Sequence, residues 1–230
     1  ELIIQGDFVW TYGGQDPKMP IPNILNAIAE GYEFIGHVAD TSVETNLLTM
    51  LLNMHDYNHQ NGTHRETFQI TEVQFKQFVD DGFRSEAFYD MPTVPYSLWE
   101  KFRQPDLFVM PTVFNGHLEN FFPHLVMLHM DISMGSIKQC HLFIPESETR
   151  TRTYVLMFGK AKHPIFNLLK KTALKFAKVV VDQDADILGK LYPDAPQKVK
   201  LNNEVGMDWV RRNFESFPEV AAPSLSKSSS

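Results

Sequence analysis

Four stretches of strand character follow one another between Leu107 and Phe158, and one long run of helical period, Pro164 to Leu191, comes directly after them. Strands that succeed each other with no helix between them pair as antiparallel neighbours, and a long amphipathic helix must then cover one face of their sheet. Leu107 to Phe114 is the first, with Asn115-Gly116 as a hairpin-type turn behind it. Pro123 to Met130 sets His124, Val126, Leu128 and Met130 against Leu125, Met127 and His129 on the opposite face. Ile137 to Ile144 and Thr151 to Phe158 complete the series, separated by Pro145-Glu146-Ser147-Glu148. This order predicts an α+β domain: a curved antiparallel sheet with a long C-terminal helix packed across it. A final helix is expected from Asn203 to Phe217.

The long helix carries one residue that does not suit its position. Ala173, Ala177, Val180, Ile187, Leu188 and Leu191 fall within about 60° of one direction, and Asp184 lies in the middle of that stripe. Asp182 and Asp186 point to the opposite side, where solvated acids belong. A carboxylate on a buried stripe is costly unless it is paired, protonated or bound to a cation. A salt bridge is the commoner remedy in general. Here a histidine pair elsewhere in the chain favours metal ligation.

That pair lies in Asn53-Met54-His55-Asp56-Tyr57-Asn58-His59-Gln60-Asn61-Gly62-Thr63-His64. Two imidazoles held close together, one with a carboxylate a helical turn away, suit a borderline transition metal such as iron. The preceding residues, Ser42 to Leu52, read as a helix with Ser42 as N-cap, running on so that Asp56 and His59 share a face. His64 would point away from them if that helix continued. Asn61-Gly62 is expected to break it and turn the chain back, because both residues tolerate a left-handed backbone. Taken alone, the motif is matched equally well by a capped helix end with surface histidines.

Asn53-x2-Asp56-x2-His59-x4-His64, followed more than a hundred residues later by Gln183-Asp184 in a C-terminal helix, resembles the mononuclear iron site of Rieske-type non-haem iron oxygenases. These are the aromatic-ring-hydroxylating and demethylating oxygenases, and the resemblance is to the catalytic domain of their alpha subunit. It implies a helix-grip fold like that of START and Bet v 1 domains. It implies that His59, His64 and Asp184 bind Fe(II), and that Asp56 links the iron histidine to the Rieske [2Fe-2S] cluster of a neighbouring subunit. The expected activity is hydroxylation or demethylation of an apolar, aromatic substrate with O2, as a mono- or dioxygenase, with electrons supplied by a ferredoxin or reductase. A homotrimer is implied as well. Asn53, Met50, Met54, Phe114, Met127 and Phe143 are candidate substrate-pocket residues. His129 and His141 are candidates for orienting a substrate.

The chain cannot hold that cluster itself. A Rieske centre takes two Cys and two His, and Cys140 is the one cysteine present. The same count excludes a disulfide framework and a cysteine-rich zinc site. The opening strand Phe8-Val9-Trp10-Thr11-Tyr12, followed by Gly13-Gly14 and Asp16-Pro17, resembles the point where a Rieske domain hands over to the catalytic domain. Residues 1–20 are therefore expected to be a residual strand and linker, 21–217 the catalytic domain and 218–230 a disordered Ser/Lys-rich tail. The cluster would lie in a missing N-terminal domain or on another chain, leaving this chain inactive on its own.

Between these landmarks, a short helix is expected from Ile21 to Glu30 with Gly31 as its stop, and strands at Tyr32–Val38 and Thr67–Val73. Gln74 to Trp99 reads as a loop-rich cover. A net charge of −7 with no extended basic cluster argues against nucleic acid as a partner. No apolar run reaches membrane-span length and no signal peptide is visible, which places the chain in the cytoplasm by default. Eighteen Phe and ten Met fit a roomy apolar interior. That interior also suits a rival reading, a binding module that holds an apolar ligand without redox chemistry. A metal-dependent hydrolase is a third, disfavoured because zinc sites prefer imidazole-richer sets with a general base nearby.

Overall fold

The computed structural model describes residues 2–5, 8–11, 20–22, 24, 30–103, 111–132, 134–191, 201 and 204–217. A two-stranded hairpin, β1 (Leu2–Gln5) with β2 (Phe8–Thr11), opens the chain. Next come β3 (Glu33–Val43) and three short helices: α1 (Leu47–His55), α2 (His59–Gly62) and α3 (Arg65–Phe68). A meander then runs through β4 (Gln74–Asp81), β5 (Arg84–Pro92), β6 (Val113–Phe121), β7 (Leu125–Ile132), β8 (Gly135–Ser147) and β9 (Arg150–Ala161). The short α4 (Leu98–Arg103) interrupts it between β5 and β6. The long α5 (Ile165–Leu188) and α6 (Val205–Ser216) end the described chain.

Sheet order is β3-β9-β8-β7-β6-β5-β4, antiparallel throughout. The first strand of the sheet thus lies against its last. Helix α5 leaves β9 and packs back over β3 and β9, while α1 packs against α6. This is the α+β arrangement expected, a large antiparallel sheet gripped by a C-terminal helix.

Strand alternation divides the interior. Across the middle of the sheet Val126, His141 and Val155 are register partners on the face that carries the helices. One residue along, Met127, Cys140 and Leu156 align on the other face, where Phe8, Trp10 and Tyr32 cover them. The helix is seated at its start by Phe166, which is 1% exposed. Its ring lies over Gly135 and Gly159 of adjacent strands, and a Cβ at Gly159 would come within 2.7 Å of it. No side chain fits there without moving the helix.

Several local expectations are corrected. Ser42 is not a helix cap but the penultimate residue of β3, paired with Arg152; the chain stays extended as far as the Val43–Thr151 pair. Asn46 caps α1 instead, its side chain accepting from Thr49 N at 2.7 Å. The strand expected at Thr67–Val73 is α3 and a single bridge, Ile70 to Thr93. The loop-rich cover is the β4–β5 hairpin, turning at Gly82 with φ +66°. Asn115-Gly116 lies within β6, where the Tyr89 ring occupies the space of a Gly116 Cβ (2.4 Å). Ile187 and Leu191 are exposed, and Val181 takes their place in the buried stripe of α5. Most of Ile21–Glu30, the turns at Gly13-Gly14 and Asp16-Pro17, Leu107–Met110, and the tail from residue 218 lie outside the described residues.

Candidate metal centre

The histidine-bearing segment is not one helix. Helix α1 stops at His55, and Asp56 leaves helical geometry at φ −83°, ψ 85°. The Asp56 carboxylate then accepts from Asn58 N at 3.1 Å, a local turn that starts the next helical piece. His59 opens α2. Asn61 and Gly62 are helical rather than a break, and the chain bends at Thr63–His64, ahead of α3. The result is the one expected by a different route: the rings of His59 and His64 meet edge-on, with centroids 5.2 Å apart.

Asp184 reaches them from α5. Its Oδ1 lies 3.1 Å from His64 Nε2 and 3.6 Å from His59 Nε2. One ligand atom from each of the three residues lies within 4.8 Å of the others. Two donors each about 2.1 Å from an ion, at right angles, are about 3 Å apart, so the set is compact enough to share one. His64 is fully buried, His59 is 9% exposed and Asp184 is 19% exposed.

Each ring is held by its other nitrogen. His59 Nδ1 donates to the carbonyl of Asp56. His64 Nδ1 donates to Gln183 Oε1 at 2.9 Å. The nitrogen that each ring turns toward Asp184 is thereby Nε2, the one left for a metal to take in place of a proton. Gln60 Nε2 donates to His59 Nε2 at 3.0 Å.

Electrostatics match this geometry. Burial opposes the charged form of His64, but Asp184 and Gln183 outweigh it and its pKa is raised. Burial likewise opposes ionised Asp184. The His64 hydrogen bond, the charges of both histidines and the nearby Asn53 amide bring its pKa below the ordinary carboxylate value. Two bases and an acid that stabilise one another's charge hold a proton that a divalent cation can displace.

Of the candidate pocket residues, Met50, Met54, Phe114 and Phe143 lie in the core layer on the helix side of the sheet. Asn53 stands on α1 with its amide near Asp184. Met127 is corrected: the parity of β7 turns it to the other face, among Leu125, Cys140 and Leu156. His129 also faces that side, stacked on His117 and 3.4 Å from Glu119. His141 is on the helix side, buried, with an unpaired Nε2. Burial lowers its pKa to about 4, against the opposing charge of Asp184.

Sequence reasoning missed Asn120 and Ser85, buried neighbours on β6 and β5. Asn120 Nδ2 donates to Ser85 Oγ at 2.9 Å, its Oδ1 is unpaired, and the amide lies close to His55. The signal was a polar residue on the inward register of a strand whose other inward positions are Phe114, Gly116 and Leu118.

Residues 43–209 match the family described as the vanillate O-demethylase oxygenase C-terminal domain. The chain belongs to that family. Its fold is also that of solved oxygenase structures. One is dicamba monooxygenase bound to 3,6-dichlorosalicylic acid, with 15% identity, a TM-score of 0.67, and coverage of 94% of this chain and 68% of that one. Another is NdmB of Pseudomonas putida CBB5, with 14% identity, a TM-score of 0.59, and coverage of 93% and 59%. A third is an NdmA mutant of the same organism with theobromine, with 13% identity, a TM-score of 0.57, and coverage of 85% and 54%. The chain thus spans between half and about two thirds of these proteins. No curated protein matches it. As a vanillate O-demethylase-type domain, it is the oxygenase catalytic domain of the demethylating and hydroxylating Rieske enzymes. None of its described helices is long and apolar enough to cross a membrane.

Proposed function

We propose that this domain holds one ferrous ion on His59, His64 and Asp184 and oxidises an apolar, aromatic substrate by hydroxylation or demethylation. The observation that carries the reading is the convergence of those three side chains from α2, the α2–α3 bend and α5, with both Nδ1 atoms already committed to hydrogen bonds. Iron held by these two imidazoles and one carboxylate would supply O2 activation. The residues do the rest. His59 and His64 would each offer Nε2, and Asp184 its carboxylate.

The substrate is expected beside the triad, in the layer that holds Phe68, Phe114, Phe143 and Phe176. Phe68 meets Phe114 and Phe176 edge-on at 5.4 and 5.2 Å, so an aromatic ligand would join existing ring contacts. His141 and Asn120 bring unpaired polar atoms to the same side of the sheet and would orient a polar substituent. The ligands seen with related structures, dicamba, theobromine and caffeine, are of this character.

Electrons are expected from a Rieske cluster outside this segment, reduced by a ferredoxin or reductase and brought near by trimeric assembly. Asp56 is the proposed entry point. Its carbonyl, rather than its carboxylate, orients His59, which leaves the carboxylate free to engage a neighbouring subunit apart from its bond to Asn58 N.

Protein purified without oxygen and loaded with ferrous ion is expected to hold about one iron per chain. His59→Ala, His64→Ala and Asp184→Ala should each abolish that stoichiometry. Asp56→Asn should keep the iron and lose reduction by the cluster. Metal-free protein that refuses iron yet binds aromatic ligands tightly would convert the domain into a binding module.

A further inference from the structure

Gln183 precedes the carboxylate Asp184 on α5, and consecutive helical residues point about 100° apart. Both nevertheless reach one ring. Asp184 Oδ1 lies 3.1 Å from His64 Nε2, and Gln183 Oε1 lies 2.9 Å from His64 Nδ1. The imidazole is held edge-on between two successive side chains of the helix, fully buried, with Phe68 and His59 against its faces and edges at 5.9 and 5.2 Å.

An amide can present either end to a histidine, and the two ends have opposite consequences. Oxygen toward Nδ1 demands a proton there, so Nε2 is the nitrogen that can exchange its proton for a metal. Nitrogen toward Nδ1 would put the proton on Nε2, where it blocks a metal. Thr67 pins the amide in the orientation seen. Its hydroxyl accepts from Gln183 Nε2 at 2.9 Å and can donate to Oε1 at 3.1 Å, while Oε1 also faces His64 Nδ1.

We infer that Gln183, oriented by Thr67, is a positioning residue that fixes His64 in its metal-competent tautomer, so that α5 delivers a ligand and the lock on a second ligand together. This rests on the metal reading above but assigns a role to residues which that reading does not use. His59 is held differently, by a backbone carbonyl at Nδ1 and by Gln60 at Nε2. Substitution at Gln183 therefore reaches only the His64 half.

The test uses the full chain with ferrous ion under anaerobic conditions, and Co(II) as an optical probe of ligand geometry. Gln183→Leu keeps the volume and removes both hydrogen-bonding ends, whereas Gln183→Glu keeps an acceptor for Nδ1–H. The Leu variant should bind both ions about 10- to 100-fold more weakly, with an altered Co(II) visible spectrum, and the Glu variant should recover affinity and spectrum. Thr67→Val, which frees the amide without touching Gln183, should lose affinity in the same direction, and it decides the matter if Gln183→Leu does not fold. A merely structural tie between α3 and α5 would lower the melting temperature of metal-free protein equally in Leu and Glu variants and leave the spectrum alone. That result overturns the inference, as does wild-type affinity in Gln183→Leu or, should that variant not fold, in Thr67→Val. Wild-type protein that binds neither ion overturns this inference and the metal reading together. Normal binding in both wild type and Gln183→Leu overturns this inference alone.

Discussion

His141 is the residue whose surroundings ask most for a partner. It is buried, its Nε2 is unbonded, and its charged form is suppressed to a pKa of about 4. A buried polar atom left unpaired costs about 1–3 kcal/mol, which a ligand can recover. His141→Leu is expected to leave iron loading intact while weakening the binding of aromatic acids or phenols in titration calorimetry. Loss of iron instead would assign His141 to metal holding. The residue scale also shows what spacing alone conveys. His59, His64 and Asp184 were legible because a carboxylate in an apolar stripe and two close imidazoles each needed explaining. The reason His64 turns back was not legible, because it depends on how Asp56 closes α1, a turn made by one side chain and one backbone amide. Met127 failed for a plainer reason. Its face is set by register with β6 and β8, which no single strand reveals.

Elements place these residues, and the seat of α5 matters most. Phe166 fills a socket floored by Gly135 and Gly159, and the helix then runs over β3 and β9 to bring Asp184 to the histidines. Phe166→Ala is expected to cost about 3–5 kcal/mol in urea unfolding. Gly159→Ala, which overfills the same socket, should cost about 1–3 kcal/mol. Gly159→Ala should also weaken iron binding, because lifting the start of a rigid helix displaces its far end. Unchanged affinity in a destabilised variant would show that α5 bends rather than tilts. The long helix and the last three strands were readable from periodicity. The β4–β5 hairpin was not, since its inward side is built from Ser85, Ala87, Tyr89 and Met91, a pattern of mixed size and polarity that hides the alternation. Gly116 misled in the same way: it reads as a turn, yet it is flat strand making room for a ring.

Over the whole molecule, acid should unfold this domain through its interior histidines. Burial holds His55 and His141 at a pKa of about 4 when folded, against about 6.5 in the unfolded chain. Between those values the unfolded state binds more protons. Stability is therefore full above about pH 6.5, falls as the pH drops toward 4, and stops falling from this cause below that. Urea midpoints measured from pH 7.5 to 4.5 should show the decline, and His55→Phe should flatten it. An identical slope in the variant would assign the acid sensitivity to other groups.

The donors of the proposed centre stand on opposite flanks of the six-strand meander, His59 and His64 before it and Asp184 after it. An ion shared by them would be a clasp joining the two ends of the sheet's construction. No fragment that stops short of α5 can grip it. During synthesis the clasp cannot shut until the last strand has been laid down and the helix has swung back across it, so occupancy would certify that the whole sheet is in place.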